Sequence, residues 1–137
     1  MACHFDGPVH AQSTALSLTG LPDRIMPGES YDLTVRLADR EMDKAGFMIF
    51  FHQTSGPAGV AVSVSDEVDT KGAKARSTGA GTAKNESGVA RWRLRWKAPE
   101  SLAGPVRATL WGNAANADES PFGDRIHRRI FLARPAH

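Results

Sequence analysis

Nine residues, Val89 to Lys97, constrain this chain more than any other stretch. In the run VARWRLRWK, Ala90, Trp92, Leu94 and Trp96 alternate with Arg91, Arg93 and Arg95. A period of two sends successive side chains to opposite faces, so the run has one apolar and one cationic face. That is the pattern of an antiparallel strand buried on one side only.

Other segments repeat the period. Ser30 to Ala38 places Tyr31, Leu33, Val35 and Leu37 inward and Asp32, Thr34 and Arg36 outward. Thr14 to Leu18 is a shorter strand with Leu16 and Leu18 inward. Gly46 to Gln53 (GFMIFFHQ) is apolar on both faces, which marks a central strand or one whose outer face a partner covers. Val60, Val62 and Val64 alternate with Ala61, Ser63 and Ser65, and Val60 and Val62 are read as inward. Residues 66–86 carry the weakest signal, with at most a short edge strand around Ala73 to Thr78. Val106 to Gly112 turns Val106, Ala108 and Leu110 inward, and Arg125 to Ala133 is the last strand, with a bulge expected at Arg128-Arg129. Pro22, Pro27-Gly28 and the SGPAG run at 55–59 punctuate these segments as turns.

Short strands at roughly 8–15-residue spacing with no 3.6-residue period predict an all-β, immunoglobulin-like antiparallel β-sandwich of about seven to eight strands. The predicted division is an N-terminal tail over 1–13 and a single domain over 14–137. Its predicted core is Leu16, Leu18, Tyr31, Leu33, Val35, Leu37, Phe47, Ile49, Phe51, Val60, Val62, Trp92, Leu94, Trp96, Val106, Leu110, Ile126 and Ile130.

Composition narrows the function classes. With 137 residues and 41% apolar content the chain can bury a core without metal or disulfide, and its single cysteine forms no internal bridge. No apolar run approaches the ~20 residues of a membrane-spanning helix, and no basic segment leads into an apolar one at the start. A formal charge of +2 and arginines without interleaved stacking aromatics argue against a nucleic-acid partner. No GxSxG, HExxH, Walker or CxxC pattern occurs, so the chain is read as a non-enzyme.

Three groups of residues carry candidate chemistry. Arg91, Arg93 and Arg95, with Arg36 and Arg107 on neighbouring strands, suit an acidic partner; a solvated face that discourages aggregation is the plainer reading. Trp111 falls on the outward face of its strand, where it could pack on the arginine stripe or join Met48 and Phe50 in an apolar contact patch. The loop Asn113 to Asp124 offers oxygen ligands for calcium in Asn113, Asn116, Asp118, Glu119 and Asp124, although such loops usually hold their own turns.

Gly46-Phe47, Trp96-Lys97-Ala98-Pro99, Gly104-Pro105-Val106, Gly112-Asn113-Ala114-Ala115-Asn116 and Gly123-Asp124 occur in an order that resembles the reeler-type, immunoglobulin-like domains of bacterial exported proteins. In that group a CxxCH haem-attachment sequence followed by Phe-Asp often precedes the sandwich, and Cys3-His4-Phe5-Asp6 matches its second half. The first cysteine of that pattern would stand ahead of Met1, so the sequence as written lacks two-thioether attachment, and haem c is expected only if the natural N-terminus is longer. The resemblance implies an extracytoplasmic accessory or protein-interaction module, with a cytochrome or envelope complex as partner. It also implies an alternative, an electron-transfer protein with one haem c at Cys3 and His4 and a second ligand among His10, His52, His127 and His137. The acidic loop supplies a third reading, a calcium-stabilised adhesion domain.

Overall fold

The computed structural model describes residues 9–10, 12–39, 44–78, 88–115 and 125–136. Twelve strands run through them: β1 (Val9–His10), β2 (Leu16–Thr19), β3 (Arg24–Ile25), β4 (Ser30–Ala38), β5 (Lys44–Gln53), β6 (Gly56–Pro57), β7 (Val60–Ser63), β8 (Val68–Lys71), β9 (Lys74–Ser77), β10 (Val89–Lys97), β11 (Val106–Ala115) and β12 (Arg125–Pro135). They form two sheets. The larger is ordered β1-β12-β11-β5-β9-β8, with β3 also on β12 and β6 on β5; the smaller is β2-β4-β10-β7. Among the described residues no helix is long and apolar enough to cross a membrane.

The alternating segments pair with each other. β10 and β4 are antiparallel over all nine residues, setting Trp92 beside Val35, Leu94 beside Leu33 and Trp96 beside Tyr31 on the inner face. The larger sheet answers with Phe47, Ile49 and Phe51 of β5 and Ala108 and Leu110 of β11, all at most 1% exposed. Aromatic pairs join the layers: Phe47 meets Trp92 and Phe51 stacks on Trp96, each at 4.8 Å between ring centroids. A buried tryptophan removes about 150–250 Å² from water, on the order of 4–6 kcal/mol before entropy is counted. Trp96 also donates Nε1–H to the Ala58 carbonyl at 3.1 Å, which satisfies its one polar atom.

Four expectations need correction. Val60 and Val62 are 51% and 41% exposed, and Ala61 is the buried residue of β7. Ala61 pairs with Trp96, whose indole fills the space a larger inward neighbour would need. Ile130 is 41% exposed, because β12 keeps an unbroken register with β11 from Arg125 to Ala133 and no bulge at Arg128-Arg129 shifts its faces. Arg129, on the inner face, instead reaches the Leu16 carbonyl at 2.9 Å with its guanidinium over the Phe131 ring. The segment around 73–78 is not an edge: β9 lies between β5 and β8.

The outer edge of β12 is closed by β1, by Gln12 and Ser13, and by β3. β1 pairs with it at Ile126 and His127, and β3 at Arg134 and Pro135. Between them, Ser13 donates its amide to the Arg128 carbonyl at 2.9 Å, and the Ile130 amide donates to Gln12 Oε1 at 3.0 Å. An open strand edge is a template for unwanted pairing, and here the chain occupies it.

Candidate functional site

Three places concentrate chemistry. The first is the outer face of the larger sheet, where cross-strand register arranges side chains in rows. One row runs Arg128, Trp111, Met48, Arg76; the next Ile130, Thr109, Phe50, Lys74; the third Leu132, Arg107, His52. Trp111, Met48 and Phe50 are half-buried, and Ile130 and Leu132 are 41% and 42% exposed. Phe50 stacks on the His52 ring at 5.1 Å, and Lys74 Nζ sits 5.3 Å from the Phe50 centroid. His52 Nε2 is 3.1 Å from Thr109 Oγ1, so this histidine is a packed, hydrogen-bonded residue of the face. The result is an apolar strip bordered by arginines and lysines, with Asp69 of β8 directly opposite Arg76.

The second is the outer face of the smaller sheet, which holds Arg91, Arg93 and Arg95 as the alternation predicts. Trp111 and Arg107 lie on the opposite side of the sandwich, so the expected packing of Trp111 on this stripe does not occur; the cation in the neighbouring register position is Arg128. Arg107 likewise belongs to the other face, whereas Arg36 lies directly beside Arg91. Arg95 is neutralised, its Nε 2.8 Å from Asp32 Oδ1.

The third joins the sheets at one end, and its residues come together only in space. Ser13 Oγ lies 2.7 Å from His127 Nδ1, and His127 Nε2 lies 3.5 Å from Asp39 Oδ2. The side chains of His127 and Asp39 are each 11% exposed. Ser13 Oγ also accepts the Ala15 amide at 3.2 Å, which makes it the cap of the turn leading into β2. Serine, histidine and aspartate are the residue types of a nucleophilic triad. Here they tie the segment before β2, the end of β4 and the inner face of β12 to one another. Positions 13, 39 and 127 share no local motif, so no spacing in the sequence could reveal the grouping.

Asn113, read as a calcium ligand, is 3% exposed within β11, between Gly46 and Ile126. The other proposed calcium ligands, Asn116, Asp118, Glu119 and Asp124, and the haem candidates Cys3 and His4, lie outside the described residues. Among the described residues no group of three or more His, Cys, Asp or Glu side chains is placed to hold a metal ion. His52 and His127, the candidate second haem ligands whose side chains are described, are both engaged in the hydrogen bonds above.

The two packed sheets form a β-sandwich whose fold is of the reeler type, as comparison with solved structures shows. The chain superposes on the reeler domain of human F-spondin with a TM-score of 0.67 at 18% identity, covering 94% of each chain. It is also similar to AvmM, which catalyses macrocyclization in alchivemycin A biosynthesis (TM-score 0.56, 13% identity, 94% of this chain and 91% of that one). A third likeness is to the sulfur carrier protein SoxY from Chlorobium limicola f thiosulfatophilum (0.54, 13%, 97% and 89%). These likenesses are of fold, and the fold serves unlike tasks. No protein-family model matches the sequence, and no curated protein does.

Proposed function

We propose that this domain is a non-catalytic protein-interaction module working outside the cytoplasm, and that it docks its partner on the outer face of the larger sheet. The observation that carries this reading is the strip of Trp111, Met48, Phe50, Ile130 and Leu132 on three adjacent strands, bordered by Arg128, Arg107, Arg76 and Lys74. Tryptophan, methionine, phenylalanine and arginine are enriched where proteins bind one another, and a central aromatic anchor within a polar rim is the usual distribution of binding energy. Cations at the rim suit a partner whose apolar contact is flanked by carboxylates. An extracytoplasmic setting is supported by the likeness to the F-spondin reeler domain and by the sequence resemblance to exported bacterial domains. The same resemblance favours an envelope complex or cytochrome as the partner.

The test compares the wild-type domain with Trp111→Ala and with Ile130→Asp/Leu132→Asp, immobilised and exposed to an envelope fraction from the native source. Ile130 and Leu132 are exposed enough for the double variant to keep its fold, which a melting curve checks. The wild type should retain a discrete protein that both variants lose and that Arg91→Ala/Arg93→Ala keeps. Equal retention by all forms would overturn the assignment of this face.

A further inference from the structure

The outer face of the larger sheet offers a partner apolar contact but no backbone to pair with. Both flanks where an extended segment could join the sheet are occupied. On the β12 side, β1, Gln12, Ser13 and β3 bond along the strand. On the β8 side, the Val68 carbonyl accepts from Ser63 Oγ at 2.6 Å, and the Gly72 carbonyl accepts from the Ala61 amide at 2.8 Å. The apolar side chains of the face run obliquely. Trp111 and Met48 share one row, and Ile130 and Leu132 occupy the next two rows on β12, so the strip crosses the strands over Thr109. Thr109 Oγ1 is already engaged with His52. With strands about 4.8 Å apart and same-face residues about 6.7 Å apart, the backbone positions of Met48 and Leu132 are separated by roughly 16 Å. Arg128 borders the strip on one side, and Phe50, Lys74 and Arg107 border it on the other. Arg128, Lys74 and Arg107 make no ion pair among the described residues. The Arg128 Nε is shielded from water and has no hydrogen-bond partner among them. Asp69 faces Arg76, farther out.

We infer that the partner presents an acidic amphipathic α-helix of about three turns, its apolar stripe on Trp111, Met48, Ile130 and Leu132 and its flanking carboxylates on Arg128, Lys74 and Arg107. This inference rests on the docking face proposed above. An α-helix satisfies its own backbone donors and acceptors. An extended segment laid on this face would leave its own unpaired against apolar side chains, because the sheet's backbone groups are spent within the ladders and at the flanks. At about 1.5 Å per residue, roughly eleven residues span the strip, and a helix about 10 Å across covers two strand spacings. Apolar residues at i, i+3, i+4 and i+7 form one stripe of this kind, with acidic residues on either side of it reaching the cations. The guanidinium of Arg128 and that of Arg107 can each receive a carboxylate through two parallel hydrogen bonds.

The experiment titrates the intact protein, at about 0.15 M salt, with a synthetic peptide of about eighteen residues that carries leucines at helical spacing between flanking glutamates. One control peptide is rearranged so that leucine and glutamate alternate with a period of two, and the other has lysine in place of glutamate. The acidic helical peptide should bind at least about tenfold tighter than either control and gain helical circular dichroism on binding. Ile130→Asp/Leu132→Asp should weaken it by about tenfold or more, whereas Arg91→Ala/Arg93→Ala on the other sheet should leave Kd within about twofold. Lys74 and Arg107 are exposed, so Lys74→Glu/Arg107→Glu should keep the melting curve and transfer the preference to the lysine peptide. Three results would overturn the inference: no binding of the acidic helical peptide, equal or tighter binding of either control to the wild type, or unchanged affinity in Ile130→Asp/Leu132→Asp. Any of these, with the native partner still captured through this face, refutes the helix alone. Envelope capture that ignores substitutions on the face refutes the docking site itself.

Discussion

Replacing Gly112 by alanine probes how closely the two sheets approach. Gly112 lies in β11 between His127 and Phe47, on the inner face. A Cβ there would stand 2.7 Å from Leu16 Cδ2 and 3.2 and 3.3 Å from the two methyls of Leu37. Carbon atoms rest at about 3.5–4.0 Å, so one contact is far inside the repulsive wall and two press on it. Both leucines are fully buried, and the Leu16 backbone is held through its carbonyl by Arg129. Overpacking of this kind costs about 1–3 kcal/mol, while alanine's smaller unfolded-state freedom returns about 0.4–1 kcal/mol. The expected net loss is about 1–2 kcal/mol, or about 3–10 °C in Tm for a chain of this length. Urea and thermal unfolding of Gly112→Ala, Leu16→Val and the double variant would measure it. Shortening Leu16 should cost about 1 kcal/mol in the wild type and much less in the Gly112→Ala background, because there it removes the clashing methyl. A Gly112→Ala protein as stable as wild type, or effects additive within about 0.5 kcal/mol, would refute the close approach.

Trp96→Phe should lower unfolding free energy by about 2–4 kcal/mol in urea titration, since it leaves a void and strips the Ala58 carbonyl of its donor. His127→Ala should cost about 2–4 kcal/mol and Ser13→Ala about 1 kcal/mol; a double-mutant cycle should return a coupling of about 0.5–1.5 kcal/mol, and additivity would deny the link between them. Ala61→Leu should destabilise by about 1–3 kcal/mol by crowding Trp96, whereas Val62→Thr should stay within about 0.5 kcal/mol; thermal melts of the pair report which face of β7 is inward.

The strands with unlike faces are legible in the sequence alone. β4 and β10 have the predicted bounds because their outer positions are charged or polar and their inner ones apolar, so only one register buries the apolar set. β7 shows the limit of that logic. In Val60-Ala61-Val62 both faces are apolar, and the choice was made by the volume of Trp96 on the neighbouring strand, which no local pattern encodes. Ile130 departs from the expected core for a related reason: the Arg128-Arg129 doublet reads as a slip, but Arg129 has a carbonyl to bind on the inner side. The arginine stripe is readable as a stripe; that Arg36 stands beside Arg91 and that Asp32 pairs with Arg95 follows only from cross-strand register. The Ser13–His127–Asp39 link spans 114 residues and had no signal at all.

The closed edge of β12 orders events in time as well as in space. Its outer partners come from the first 25 residues, and the bond from Ser13 to Arg128 and the pairing of Arg24 with Arg134 bridge more than about 100 positions of chain. Until the residues beyond 125 have emerged, the early segments have no strand to lie against, and the ring of contacts stays open. Closure is therefore a late, slow step dominated by the entropy of bringing distant segments together.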